Sequence, residues 1–397
     1  MGMPTHLSAA EIEEFGREMD AIRNEVMDSR GERDRAYILK IIRWQRSLAL
    51  GGRIVMFLSL LLLPASALPY AGWPQFLAAL GFGAAMLGIA KIIENMEIGH
   101  NVMHAQWDWM RDPQIQSNTW EWDNVCPSDQ WKHSHNVVHH TWTNVFGKDP
   151  DIGYGVLRVT PQQRWKPKHL ANPIINFFLN IWFQWGVAIH DVEADKILEG
   201  KKSLASVKPL LRRIAWKASR QLMKDYVLWP ALGAALTVPT SLALGLAPGS
   251  IALSAFLWIV GGNAIANLMR NIWSNVIIFC GHFPSGVQHF TQAEVAGETR
   301  ARWYVRQLLG SCNIGGGKLF HILSGNLSHQ IEHHLFPDMP SNRYPEVAPR
   351  VRALAQRYGL HYNTGSLTRQ FGTTTWTIWR LALPGGGSGG GQQALHV

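Results

Sequence analysis

Ile54-Val-Met-Phe-Leu-Ser-Leu-Leu-Leu-Leu-Pro64-Ala-Ser-Ala-Leu-Pro69-Tyr-Ala-Gly72-Trp-Pro74-Gln-Phe-Leu-Ala-Ala-Leu-Gly-Phe-Gly-Ala-Ala-Met-Leu-Gly-Ile-Ala90 runs for 37 residues without a charged side chain. One bilayer crossing takes ~20 apolar residues. The run is long enough for two, and Pro64, Pro69, Gly72 and Pro74 break it near its middle. The stretch therefore predicts a helical hairpin, with spans over about 54–70 and 75–93. Tyr226 to Met269 repeats the pattern, with Ala247-Pro248-Gly249 as the turn and spans over about 227–246 and 250–272.

A third uncharged stretch, Leu170 to Ile189, reads differently. Asn172, Asn176, Asn180 and Gln184 recur every four residues and draw a polar stripe along it. That predicts an amphipathic helix over about 171–189 lying in the membrane interface, not a fifth span. Lys and Arg are absent from both hairpin turns. They gather in the N-terminal arm, in 91–225 and from Arg270 onward. By the positive-inside rule those parts, and both termini, face the cytoplasm. The sequence thus divides into a cytoplasmic helical arm (1–52, opened by a Ser8–Glu11 capping box), a membrane domain (53–380) and a Gly-rich tail (381–397).

Composition agrees. Charged residues make up 16% of the 397, against ~25% in soluble domains. Eighteen tryptophans suit membrane–water interfaces. The net charge of +9 is read as contact with anionic lipid or a phosphate-bearing substrate rather than nucleic acid. Cys126, Cys280 and Cys312 form no CxxC pair, which argues against zinc ribbons, iron–sulfur clusters and a disulfide scaffold. The first fifty residues carry charge throughout and offer no signal-peptide core. His6 stands where a myristoylation signal needs Ser or Thr.

The chemistry lies in histidines flanking the hairpins. His100 and His104 are four apart, just past the second span. His135 and His139 repeat that spacing, with His140 adjacent, whereas His133 falls on the opposite helical face. Gln330, His333 and His334 stand at i, i+3 and i+4, so they share one face of a helix. His282 closes the last span. These nine side chains are too many for one ion and suit two metal ions of five or six coordination, with imidazole favouring iron, copper, nickel or zinc. A His-Glu-x-x-His protease motif is missing. The only Glu-x-x-His is Glu97–His100, where soluble di-iron bundles need two.

His-x3-His, His-x3-His-His about thirty residues later, and Gln-x-x-His-His beyond a second hairpin resemble the integral-membrane fatty acid desaturases. Lys91–His100, Asn271–Asn275 and Gly325–Pro337 are similar to the actinobacterial and mycobacterial acyl-CoA branch. The resemblance covers roughly 10–380. It implies an all-α membrane protein with four spans beneath a cytosolic helical cap, and a di-iron centre beside a narrow acyl tunnel. It also implies dioxygen as co-substrate and a cis double bond as product, with acyl-CoA and the delta-9 position favoured. The iron ligands it implies are His100, His104, His135, His139, His140, His282, Gln330, His333 and His334, with His329 as an alternative to Gln330 and Asn275 as a water-mediated candidate. Glu332 is expected to hydrogen-bond behind them. Arg158, Lys166, Lys168, Arg300, Arg302 and Arg306 are candidates to hold substrate phosphates. No nucleotide, haem or iron–sulfur motif is present, so electrons are expected from a separate NAD(P)H reductase or ferredoxin-type donor. A membrane di-iron hydroxylase and, more remotely, a histidine-rich metal transporter are the competing readings.

Overall fold

Helix α1 (Ala9–Asp28) opens with the expected capping box. The Ser8 hydroxyl accepts from the Glu11 amide at 3.3 Å, and the Glu11 carboxylate accepts from the Ser8 amide at 2.7 Å. The computed structural model describes residues 6–64, 70–193, 197, 200 and 202–385. Among them, four helical stretches are long and apolar enough to cross a membrane: Glu32–Leu62, Trp73–Met103, Leu204–Ala243 and Pro248–His282. Both hairpins are present, the segment around 171–189 is not a fifth crossing, and the chain is a multi-pass membrane protein.

Each long helix outruns its charge-free core. Helix α2 (Glu32–Ser59) begins well before Ile54, so the basic half of the expected arm is the start of the first long helix, and only α1 stands apart. A last 3-10 turn ends it at Leu62. Residues 65–69 of the expected first span and 386–397 of the tail lie outside the described residues. Helix α3 (Trp73–Ile93) continues through Glu94–His100 to Met103. The next helix, α4 (Ser128–Trp131), runs on through Lys132–His139 to Trp142. The interfacial segment is two helices, α5 (Asn172–Ile181) and α6 (Phe183–His190), broken at Trp182. Ile174, Phe177, Phe178, Trp182 and Ile189 are exposed on it, as an interfacial helix requires. Helices α7 (Leu204–Ala243) and α8 (Pro248–His282) form the second hairpin.

Helix α2 packs on α3, α3 on α8 and α7 on α8. The α2–α3 crossing is close because glycines face each other. A Cβ on Gly52 would stand 2.8 Å from the Gly83 carbonyl, and one on Gly83 would stand 2.8 Å from that of Gly52. Small residues at such a crossing bring two backbones into van der Waals contact, the attraction that remains between helices when lipid is as apolar as leucine. Where these helices leave their charge-free stretches, a buried ionic network ties them. Lys91 donates to Asp123 and Asp225, both at 2.9 Å, and Arg53 lies 3.7 Å from Asp225.

The cap is built from α1, α9 (Arg300–Leu309), α10 (Gln330–Leu335), α11 (Tyr344–Arg357) and α12 (Leu367–Arg380). Ile12, Phe15, Met19, Ile22 and Val26 recur at helical spacing on α1 and join Tyr304, Leu308, Ile331, Phe336, Tyr344 and Val347 in one core. This core seats α10, so it fixes the third histidine pair. A two-stranded parallel pairing of Asn313–Gly315 with Thr364–Ser366 is the only named sheet among the described residues.

Candidate metal centre

The first two histidine pairs do not lie on plain α-helix. Glu94–His100 and Lys132–His139 are wound as wide π turns. In the second, the His140 amide donates to the His135 carbonyl five residues back. A wider turn presents residues four and five apart on one side. His135 and His140 face the rings of α3 and α10, while His139 faces His282 of α8 and His334 of α10. His133 is exposed, as its position predicts.

Two groups result. His100, His104, His135 and His333 form one, and His139, His282 and His334 the other; within each, the ligand atoms lie within 4.8 Å of one another. His140 stands between them, with its ring centroid 4.7 Å from His104, 4.8 Å from His333 and 4.4 Å from His334. Gln330 adjoins the second group, its amide nitrogen 2.9 Å from His282 Nε2. It can come so near because residue 281 is glycine: a Cβ there would meet Gln330 Cγ at 2.8 Å.

The groups are built to receive cations. His104 Nε2, His135 Nε2, His333 Nε2, His282 Nδ1 and both nitrogens of His140 are buried without a hydrogen-bond partner. Burial, reinforced by neighbouring imidazoles, holds His104, His135, His140, His333 and His334 well below the usual histidine range. These rings are neutral and offer lone pairs. Unsatisfied buried lone pairs are costly, and several aimed at one point describe a metal site.

The opposite ring edges are fixed. His100 Nδ1 pairs with Asn101 at 3.0 Å, His334 Nδ1 with Gln307 at 3.1 Å, and His333 Nδ1 with the Tyr344 hydroxyl at 3.3 Å. His139 Nδ1 faces both Asp149 oxygens at 3.1 Å. Burial alone would lower the His139 pKa, but Asp149 and then Asp151 outweigh it and push it up to about 9. Such a carboxylate makes the ring a more basic ligand once metal displaces the Nε2 proton. Asp149→Asn is therefore expected to weaken metal retention ~10–100-fold, read by metal analysis after graded chelation. Unchanged retention would mean that Asp149 only packs there.

The model of the family described as fatty acid desaturase matches residues 71–366. An NADPH-dependent stearoyl-CoA 9-desaturase of Mycobacterium tuberculosis is 48% identical over 379 residues, covering 96% of this chain and 82% of the relative. The chain belongs to the fatty acid desaturase family. It is an oxidoreductase acting on a fatty acyl chain. A sn-1 linoleoyl-lipid 6-desaturase of Synechocystis is 25% identical over 287 residues, covering 70% of this chain and 74% of that one.

In this desaturase a narrow cavity runs along the histidines. Trp131, Tyr154, Phe183, Val187 and Ile278 give it apolar walls, and His100, His135, His139, His282 and Gln330 reach it from one side. A chain lying there would bring a methylene beside the metal groups.

Several expected residues fall elsewhere. His329 is in neither group; its ring lies tilted against His321, with centroids 4.6 Å apart. Asn275 is buried with an unpartnered amide but does not line the cavity. None of the six cations proposed for phosphates lines it either. Arg158 is buried and donates to the carbonyls of Gln163 and Leu381 at 2.8 and 3.1 Å. Arg306 is fully buried, pairs with Glu298 at 2.7 Å, and donates to the Thr141 and Thr143 carbonyls that follow the second histidine group. Arg300 bonds Asp20 and Tyr304, and Arg302 donates to the Glu294 carbonyl. Lys166 and Lys168 are exposed near the start of α5. Arg158 and Arg306 hold the fold together because a buried guanidinium must spend its donors on fixed acceptors. Glu332 behaves as expected, accepting from Asn313 and Tyr362, both at 2.8 Å.

Asp149, Asp151, Gln307 and Tyr344 were not legible as site residues. Asp149-Pro-Asp151 follows the second histidine group closely, which is a weak signal. Gln307 and Tyr344 give none, because only packing of α9 and α11 against α10 brings them to a ring edge.

Proposed function

We infer that the protein is an acyl-CoA delta-9 desaturase acting on long saturated chains of the stearoyl class. The observation that carries this is the 48% identity over 96% of the chain to a relative named for that reaction. Its two histidine groups border one apolar-walled cavity. Two irons would be held by His100, His104, His135 and His333 on one side and by His139, His282, His334 and Gln330 on the other, with His140 between. When bound, they supply the dioxygen chemistry that removes two hydrogens from adjacent methylenes.

The chain's own residues do the rest. Trp131, Tyr154, Phe183 and Ile278 exclude water and hold the acyl chain beside the histidines, so regiochemistry comes from position, because neighbouring methylenes are chemically alike. Asp149, Gln307 and Tyr344 keep the rings aimed. The histidines and both termini face the cytoplasm, in keeping with the Lys and Arg distribution. Electrons come from a separate donor docking on that basic face; NADPH oxidation at turnover rates by the purified chain alone would contradict this.

The test is expression in a host lacking its own desaturase, followed by mass spectrometry of fatty acids with double-bond location. A cis double bond at carbon 9 of stearate is the expected product. Hydroxylated acids in its place would move the protein to the hydroxylase reading.

A further inference from the structure

The end of the cavity away from the histidines is polar, and two of its donors have no partner. Arg270 is 1% exposed. Its Nη1 donates to the Asp123 carbonyl at 2.8 Å and its Nε to Asn271 at 3.3 Å, but Nη2 meets nothing. Ser274, one turn further along α8, is buried with an unpartnered hydroxyl. Both line the cavity. The neighbouring amides are already engaged: Asn124 donates to Asn95 at 3.2 Å, and Asn271 to the Ile181 carbonyl at 2.8 Å. A buried guanidinium N–H without an acceptor is costly, so this end of the cavity calls for an oxygen from outside the chain.

The kind of oxygen follows from charge. The carboxylates of Asp123, Asp225 and Glu94 lie among Arg270, Lys91, Arg53 and Lys224 and offset most of their charge between them. A neutral carbonyl fits such a compensated site better than an anion, whose desolvation would be met by little net positive charge. Anions have a place just outside. A groove lined by Trp216, Lys217, Arg220 and Lys224 shares Trp122 and Asn124 with the cavity, and in it Glu121 pairs with Lys217 and Asp123 with Lys224, which leaves Arg220 as its uncompensated cation among the described residues. There Arg220 lies over the Trp216 ring at 4.6 Å and has no acidic partner among the described residues.

The geometry then reads along one helix face. Arg270, Ser274, Ile278 and His282 recur every four residues on α8, and all four line the cavity. We propose that Arg270 and Ser274 bind the carbonyl oxygen of the acyl thioester, which makes α8 the ruler that selects the methylenes presented to the histidines. Ser274 is ~12 Å and Arg270 ~18 Å from His282 along the axis, the scale of a carbonyl-to-mid-chain segment. The phosphate-bearing carrier stays in the groove beside Arg220. This rests on the acyl-CoA reading.

The experiment compares binding of stearoyl-CoA with its S-octadecyl thioether, which lacks only the carbonyl, to the purified holoprotein. Wild type should bind the thioester roughly tenfold more tightly. Ser274→Ala and Arg270→Lys should each erase most of that preference while still binding the thioether. Their stearate products should also spread from carbon 9 to neighbouring positions, a change that a merely structural role would not produce. Equal affinity of wild type for the two ligands would overturn the anchor alone, as would an undiminished preference and a single product position in both variants. Failure to bind either ligand would overturn the acyl-CoA reading and the anchor with it.

Discussion

His333→Ala is expected to abolish desaturation and to strip metal from the protein. His333 gathers with His100, His104 and His135 and also with His140 and His334, so it stands where the two groups meet. Its loss removes a ligand outright, so the effect should exceed the ~10–100-fold cost of removing an outer partner such as Asp149. The readouts are unsaturated product by mass spectrometry and bound metal per chain. His329→Ala, four residues earlier and outside both groups, should retain both. Wild-type metal content in His333→Ala, or parallel loss in His329→Ala, would sink the assignment of α10.

Arg343→Met should give the largest loss of stability. Arg343 and Asp34 are both buried, at 2% and 0% exposure, and the guanidinium grips the carboxylate in two bonds of 2.5 and 2.6 Å. The pair fastens the start of α2 to the segment that follows the third histidine pair. Next to it, the Ser341 hydroxyl donates to Glu97 at 2.6 Å. Removing Arg343 leaves the buried Asp34 carboxylate without a counter-charge, with only the Asn342 amide and the Gly31 N–H still donating to it, which costs ~3–5 kcal/mol. The exposed pairs Arg350–Glu25 and Arg33–Glu346 are worth at most ~1 kcal/mol each by comparison. Thermal unfolding in detergent should show a clear drop for Arg343→Met. Most of it should return in Asp34→Leu/Arg343→Met, because the cost lies in the orphaned charge rather than the lost pair. An unshifted single variant would show that water reaches Asp34.

The number of crossings was written in residues such as Ile54–Ala90 and Tyr226–Met269, because lipid admits no charge and a charge-free run of that length has few other uses. Their ends were not. Helices α2, α3, α7 and α8 all extend past the uncharged stretches, since Arg53, Lys91, Asp225 and Arg270 find one another where the helices converge and no longer need water. The histidine spacings named the imidazoles that gather, whereas their partition into two groups follows the wide turns at 94–100 and 132–139, which no local pattern announces. The phosphate candidates show the same limit from the other side. Arg158 and Arg306 look available in sequence, and only the fold reveals the backbone carbonyls that occupy them.

By itself, then, the sequence determined the membrane class, the two hairpins and the imidazoles that gather at their ends. Hydrophobicity and ligand chemistry are properties of single residues and short spacings, so they survive without a fold. Tertiary structure alone decided which ring faces which, that Asp149, Gln307 and Tyr344 steady them, and that Arg270 and Ser274 look into the cavity with donors to spare. Those facts are distances between residues far apart in the chain, fixed by how the cap core seats α10 against α3, α4 and α8.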